Sequence, residues 1–204
     1  MSEATATTTS GKPEKKKSKK TKAKPRGKKA QELKGHIVEV VSDSGEGAQK
    51  CGQSFATIGA KMGNGIWTVE IIPAEIQPPA RSIEGASGIR IRMGSYYVTN
   101  GGDEADLVVA FNEQVLLGRV RYNELKKGCT ILLENKWRTD PSPEIAKAYK
   151  ETYDQLIQDG FQVHEIPMEE ECLKYVADPT RGKNMFVLGI LVNIYSQDLQ
   201  IARD

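Results

Sequence analysis

A glycine-bearing stretch near the start of the chain is the first candidate for chemistry. It reads VVSDSGEGA, residues 40–48, and it follows a β-branched run and precedes a helical pattern. Dinucleotide-binding loops also lie between a strand and a helix. Their glycines let the backbone at the start of the helix approach a pyrophosphate. Gly45 and Gly47 occupy two glycine positions, whereas Ser42 and Ser44 stand where earlier glycines are expected. Three interpretations are therefore open: a nucleotide-binding loop, a loop that has lost nucleotide binding, or a turn that only shares the geometry.

The residues around this loop favour the turn over a bound dinucleotide. A side chain at Ser44 would crowd a pyrophosphate, and the acidic residue that holds a ribose has only Glu70 as a rough match. In the alternative, Asp43 or Ser44 caps the helix and Glu46 faces the positive end of its dipole. An intermediate interpretation is that the helix start still offers its backbone N–H groups to an anion.

The cysteine and histidine content limits metal and redox chemistry on this chain. Cys51, Cys129 and Cys172 are odd in number and widely spaced, which indicates reduced thiols rather than a disulfide framework. They are too few for an iron–sulfur cluster held by cysteines alone. With only His36 and His164 besides, a zinc site is not expected. We predict neither a metal site nor a catalytic residue.

The charge distribution divides the chain into two parts. Residues 1–34 contain 12 of the 29 lysines and arginines but only 3 of the 27 aspartates and glutamates. The remainder, residues 35–204, therefore has 17 basic and 24 acidic residues, a net charge of −7. A lysine-rich segment with little apolar surface cannot offset the entropy of ordering, so we expect residues 1–34 to be a disordered tail.

The tail also bears on location and on one alternative function. It lacks the apolar region of a secretory signal, and no run approaches the roughly 20 apolar residues that span a bilayer. The cysteines, which indicate reduced thiols, predict a cytoplasmic protein. Lysine-rich arms neutralise phosphates, so a nucleic-acid-binding protein is one alternative. The tail has no aromatic residue for base stacking and the body is acidic, which favours a solvated or partner-docking tail.

Hydrophobic periodicity predicts alternating strands and helices over residues 35–204. A strand at 36–41, a helix from Ala48 to residue 62 and a strand at 66–72 form a first βαβ unit. Further strands are predicted at 88–93, 96–98, 106–111, 130–134 and 161–166, and further helices at 112–117, 143–160, 167–176 and 183–195. The strands 88–93 and 96–98 are expected to form a hairpin, and the last helix, which is apolar nearly all round, is expected to be buried. This order indicates an α/β fold, a three-layer Rossmann-like domain with a mostly parallel sheet.

The same segments, in the same order, resemble a known family. They are GEG before a helix ending in GAKMGNG, then WTVEIIPAEIQPPARSIEGASGIRIRMG, EADLVVAFNE, and PTRGKNM before an apolar helix. Together they resemble the gamma domain of 2-oxoacid:ferredoxin oxidoreductases, over roughly residues 35–200. Of the family loop, which resembles GxGGxGxxxxG, the chain keeps Gly45, Gly47 and Gly52 and departs at Ser42 and Ser44.

The resemblance implies a subunit of a multisubunit enzyme. Such enzymes convert a 2-oxoacid, pyruvate or 2-oxoglutarate, and coenzyme A to acyl-CoA and carbon dioxide, and pass electrons to ferredoxin. It places thiamine diphosphate, magnesium and the iron–sulfur clusters in thiamine-binding and ferredoxin-like partner subunits. The gamma domain is implied to be structural, non-catalytic and adjacent to the coenzyme A side of the active site. A free-standing nucleotide-binding Rossmann-like enzyme is the remaining alternative.

The expected topology supplies candidate contacts for coenzyme A. The loop 73–87 leaves the carboxyl end of the second strand beside the 42–47 turn, at the edge where open α/β sheets recruit ligands. The candidates are Ser44, Gly45, Gly47, Ser87 and Arg181. Lys183 is a further candidate for a phosphate, and a salt bridge at the helix start is the alternative for both basic residues.

Other residues have structural and functional interpretations that stay open. Cys51 is expected to lie in the core, and Trp67 is expected to pack at the start of its strand. Arg90 and Arg92 share one face of a strand, where they would pair with acids of another subunit or be solvated. Trp137 follows a strand at the ligand edge, where a surface loop is the alternative.

Overall fold

The described residues form six strands and six α-helices. The computed structural model describes residues 31–178 and 182–203. The strands are β1 (Gly35–Asp43), β2 (Gly65–Ile71), β3 (Ala86–Gly94), β4 (Ala105–Ala110), β5 (Leu125–Glu134) and β6 (Gln162–Ile166). The helices are α1 (Ala48–Lys61), α2 (Glu113–Arg121), α3 (Pro143–Gln158), α4 (Met168–Leu173), α5 (Lys183–Ile194) and α6 (Leu199–Arg203), with a 3-10 helix at Lys136–Thr139.

One sheet contains all six described strands, in the order β2-β3-β1-β4-β5-β6. The pairs β1–β4, β4–β5 and β5–β6 are parallel, whereas β3 is antiparallel to both β1 and β2. Among the strands described, β3 alone runs in the opposite direction, so the predicted α/β fold with a mostly parallel sheet is confirmed. The predicted unit of β1, α1 and β2 is present, but β3 lies between its two strands.

The predicted hairpin between residues 88–93 and 96–98 is wrong. β3 instead pairs on both sides, so that Gly88 lies opposite Val41 of β1 and opposite Ile71 of β2. No strand is present at residues 96–98. The alternating pattern of β3 is the same in either arrangement, which is why the sequence did not reveal its true partners.

Two apolar cores lie on opposite faces of the sheet and give the three predicted layers. Phe55 of α1 and Leu191 of α5 pack against one face. Leu116 of α2 and Tyr149 of α3 pack against the other. Cys51 is fully buried in the first core, as predicted.

The predicted burial of the last helix is present on one side only. Val187 and Leu191 of α5 are buried, but Met185 and Ile194 are 42% and 48% exposed, because α5 packs through one side only. Trp67 on β2 is 44% exposed. None of the helices in the described part of the chain combines the length and the apolar character needed to cross a bilayer.

Candidate functional site

The connections that leave the parallel strands meet at one edge of the sheet, which we call the carboxyl edge. The turn 44–47 follows β1, Asn112 follows β4, the 3-10 helix follows β5 and Pro167 follows β6. The loop 72–85 joins β2 to β3 at the same edge. The proximity that the sequence predicted between this loop and the turn is therefore present. Open α/β sheets bind ligands at such an edge, so it is the candidate functional site.

The turn 44–47 contains two glycines in the left-handed region, Gly45 with φ 88° and Gly47 with φ 86°. Gly47 is the N-cap of α1, and no side chain caps this helix. The predicted caps, Asp43 and Ser44, are therefore wrong. The Asp43 carboxylate instead accepts the backbone N–H of Arg81 with both oxygens, at 3.0 and 2.9 Å. The first turn of α1 also lacks an acidic residue.

Glu46 connects the turn to α5. One carboxylate oxygen accepts the backbone N–H of Asp43 at 3.2 Å, and the other accepts the Lys183 amine at 2.7 Å. Lys183 is 2% exposed, and its amine lies 4.8 Å from the ring centroid of Phe111. Of the two interpretations for Lys183, the structure shows the salt bridge. Arg181 lies outside the described residues.

Arg81 links the loop 72–85 to α2 and to the end of β5. Its guanidinium pairs with the carboxylate of Glu113, which is fully buried at the start of α2. The guanidinium carbon also lies 4.1 Å from the ring centroid of Trp137. The Trp137 indole N–H donates to the carbonyl of Phe111 at 3.0 Å, which fixes the ring. The sequence analysis did not identify Arg81 and Glu113 as site residues, although an acid three residues after a buried strand was an available signal.

Three polar atoms at this edge are buried without a hydrogen-bond partner. They are Arg81 Nη1, Asn112 Nδ2 and Glu113 Oε2. Asn112 uses its other side-chain atom, Oδ1, to cap α2 by accepting the N–H groups of Gln114 and Val115, each at 3.0 Å. Buried polar groups in proteins are normally hydrogen-bonded. This part of the carboxyl edge could therefore both donate and accept further hydrogen bonds.

Acidic groups also surround the end of β5. Glu134 is fully buried, and burial raises the pKa of its carboxyl group. Its two oxygens accept the backbone N–H groups of Lys136 and Glu169, at 3.2 and 2.9 Å. The Lys136 amine pairs with the Glu169 carboxylate at 2.7 Å. Each of the described basic groups Arg81, Lys136 and Lys183 thus has an acidic partner within the chain, which leaves none of these three free for a phosphate.

The predicted site residues differ in exposure. Ser44 and Gly45 are exposed at the tip of the turn, and a Cβ on Gly45 would meet no atom within 4 Å. Ser87 is 9% exposed and lies opposite Ser42 in the pairing of β3 with β1. The structure therefore groups Ser44, Gly45 and Gly47 in the turn and places Ser87 in the sheet beneath them.

The two strand arginines do not both reach outward. Arg90 donates from Nε to the Glu39 carboxylate at 2.7 Å and is 8% exposed. The prediction that it pairs with another subunit or is solvated is therefore wrong. Arg92 lies near the surface, where its guanidinium binds the side-chain oxygen of Asn100.

The thiols are expected to be unreactive in the native protein. Cys51, Cys129 and Cys172 are free and buried. Burial raises the pKa of Cys51 and of Cys129 to about 12, and it raises the pKa of Cys172 as well. Because the thiolate is the reactive form, a thiol reagent at pH 8 should modify almost none of them. The same titration in denaturant should detect three thiols. Rapid labelling of the native protein would contradict their burial.

Comparisons with known proteins agree with this architecture. Residues 38–202 match a protein family described as pyruvate ferredoxin/flavodoxin oxidoreductase. The 2-oxoglutarate oxidoreductase subunit KorA of Mycobacterium tuberculosis is 28% identical over 177 residues, which cover 83% of this chain and 27% of that relative. The chain thus spans about a quarter of the length of this curated relative.

Two solved structures share the fold. One is 2-oxoglutarate:ferredoxin oxidoreductase from Magnetococcus marinus with 2-oxoglutarate, coenzyme A and succinyl-CoA bound. Its TM-score is 0.63 at 23% identity, over 84% of this chain and 26% of that one. The other is the gamma subunit of a keto/oxoacid ferredoxin oxidoreductase from Geobacter sulfurreducens. Its TM-score is 0.57 at 15% identity, over 82% of this chain and 81% of that one. At these identities the structures support the fold, while the family match spans nearly all described elements. The chain belongs to the pyruvate ferredoxin/flavodoxin oxidoreductase family.

Proposed function

We propose that this chain is the gamma-type subunit of a multisubunit 2-oxoacid:ferredoxin oxidoreductase. The observation that carries the proposal is the family match over residues 38–202. The proposed reaction interconverts a 2-oxoacid and coenzyme A with acyl-CoA, carbon dioxide and reduced ferredoxin. The family description names pyruvate, whereas the relative from Mycobacterium tuberculosis is named for 2-oxoglutarate, so the proposal includes both substrates.

The described residues of this chain do not fit an iron–sulfur cluster or a bound metal ion. Its three cysteines are buried in separate elements, α1, β5 and α4. Within residues 31–178 and 182–203, no three His, Cys, Asp or Glu residues are grouped so that they could hold a metal ion. We therefore assign thiamine diphosphate, magnesium and iron–sulfur clusters to thiamine-binding and ferredoxin-like partner subunits. This chain is proposed to be a non-catalytic subunit, with ferredoxin as the electron acceptor of the complex.

The proposed contribution of the chain is to help assemble the complex and to border the coenzyme A path at the 44–47 turn. Ser44 and Gly45 are exposed there, and the uncapped start of α1 offers N–H groups that favour an anion. Because Arg81, Lys136 and Lys183 are already paired with acids, the turn is a better candidate than these basic residues. Ser87 supports the turn from the adjacent strand.

The subunit assignment is tested by reconstitution. The isolated chain should show no 2-oxoacid-dependent reduction of a viologen dye, and activity should require the thiamine-binding and ferredoxin-like subunits purified with it. Assays with pyruvate and with 2-oxoglutarate would identify the substrate. Dye reduction by the isolated chain would overturn the assignment, and so would full activity of the partners in its absence.

A charge at Gly45 tests the coenzyme A path in the same reconstituted enzyme. Gly45 has φ 88° and open space around it, so Gly45→Asn is the matched control, because asparagine tolerates this conformation. Gly45→Asp has nearly the same shape as Gly45→Asn but adds a negative charge near the proposed position of the coenzyme A phosphates. We expect Gly45→Asp to raise the KM for coenzyme A roughly fivefold over Gly45→Asn. Equal KM values, with activity retained, would exclude the turn but leave the subunit assignment intact.

A further inference from the structure

The outer side of β2 is an unpaired strand edge. Among the described residues β2 pairs with β3 alone, without interruption from Gly65 to Ile71. Proteins usually protect such edges with lysine, proline, bulges or short strands, because exposed N–H and C=O groups pair readily with another strand. β2 has none of these features, and its sequence GIWTVEI contains one charged residue, Glu70. The opposite edge strand, β6, has only five residues, among them His164 and Glu165.

The side chains of β2 add apolar surface to this edge. Trp67 and Val69 are each 44% exposed and lie on one face, opposite Arg92 and Arg90 of β3. Glu70 lies on the other face, where its carboxylate accepts the side-chain N–H of Gln53 at 3.0 Å. The edge therefore combines unpaired backbone, two exposed apolar side chains and a single acid that already has a partner.

We infer that β2 pairs in antiparallel fashion with β2 of a second copy of this chain, so that the two sheets become one across a two-fold axis at Thr68. This inference is independent of the proposed function. Thr68 is the middle residue of the seven, so this register pairs the whole strand. Trp67 then lies opposite the second copy's Val69, and Ile66 lies opposite the second copy's Glu70.

The pattern of charged and apolar residues on β2 favours a second copy of this chain, rather than an unrelated strand, as the binding partner. A two-fold interface needs a surface that complements itself. About Thr68, the two apolar residues Trp67 and Val69 are placed symmetrically, so each meets the other across the axis. The two copies of Glu70 face Ile66 and not each other, which avoids the cost of like charges directly opposite.

A charge-pattern experiment tests both the interface and its register. The full chain is measured by sedimentation velocity over a concentration series, where the wild type should dimerise reversibly. Trp67→Glu/Val69→Glu places glutamate opposite glutamate twice and should weaken the dimer at least about tenfold. Trp67→Lys/Val69→Glu changes the same two exposed positions but places lysine opposite glutamate, so it should retain the dimer. A monomeric wild type, or equal effects of the two double variants, would overturn the inference.

Cysteine cross-linking gives a second measurement that does not depend on affinity. Thr68→Cys places two cysteines opposite each other across the axis, and mild oxidation should yield a covalent dimer. Glu70→Cys is the control, because it would face Ile66 and form no such bond. The three native cysteines are buried and should not contribute. Cross-linking of both variants alike, or of neither, would contradict a two-fold axis at Thr68.

Discussion

Replacing Glu39 with alanine is expected to lower the free energy of unfolding by about 4 kcal/mol, because it removes the fully buried carboxylate that pairs with two largely buried guanidinium groups and leaves them only the partly exposed Glu124. Glu39 is completely buried in the middle of β1. Its carboxylate accepts Arg90 Nε at 2.7 Å and two N–H groups of Arg119, at 2.9 and 2.8 Å. The Arg119 contact is bidentate, which is the strongest geometry for such a pair.

The other donors of Arg90 extend this network to two further segments. Nη1 donates to the carbonyls of Gly102 and Asp103, each at 2.9 Å. Nη2 pairs with the carboxylate of Glu124, which also lies 3.3 Å from Arg119. Removal of Glu39 therefore disturbs β1, β3, α2 and the segments that carry these partners. The loss should exceed that of one surface pair severalfold.

Chemical denaturation measures the effect, and an exposed ion pair provides the control. Lys147 and Glu151 lie one helical turn apart on α3, are 75% and 68% exposed, and are 3.7 Å apart. Lys147→Ala should leave the unfolding midpoint nearly unchanged. Glu39→Gln keeps the shape but removes the charge, so it should fall between the wild type and Glu39→Ala. If Glu39→Ala and Lys147→Ala had the same unfolding midpoint, the buried network would contribute nothing to stability.

This network shows why the sequence predicted the elements better than their contacts. Alternation in HIVEVV and GIRIRM predicted two strands and the face that carries Arg90. The partner Glu39 is 51 positions away and depends on β3 lying between β1 and β2. Strand periodicity is the same for a hairpin and for this insertion, so no local pattern distinguishes them. The mistaken hairpin and the mistaken solvent exposure of Arg90 therefore have one cause.

The sequence predicted where the carboxyl edge lies, but it did not predict which charged groups pair with each other there. Glycines after a buried run placed the turn, and the strand order placed the loop 72–85 beside it. The pairing of Arg81 with Glu113 requires a loop residue with positive φ, 54° at Arg81, to meet the start of a helix 32 positions later. Such contacts depend on tertiary structure, which is also why Lys183, a candidate for a phosphate from the sequence, is paired with Glu46 in the structure.

Gly52, one of the glycines kept from the family loop, is the site of the second substitution that we expect to affect stability strongly. Gly52→Ala should destabilise the protein by about 3 kcal/mol, although alanine is the better helix former. A Cβ at this position would lie 2.0 Å from Ile89 Cγ2 and 3.0 Å from Ile91 Cδ1. Helix α1 therefore lies so close to β3 that a methyl group has no space, and the helix or the strand must shift.

A double-mutant cycle separates this steric cause from any change in helix propensity. Ile89→Ala removes the clashing methyl group, so Gly52→Ala should cost less than about 1 kcal/mol in that background. Gly189→Ala is the control within a helix, because a Cβ there would meet no atom within 4 Å. It should be neutral or stabilising by up to about 1 kcal/mol. If Gly52→Ala cost the same with and without Ile89, close packing of α1 on β3 would not explain the glycine. If it cost nothing in either background, the helix could move outward without loss, and the position of the 44–47 turn at its start would not be fixed by this contact.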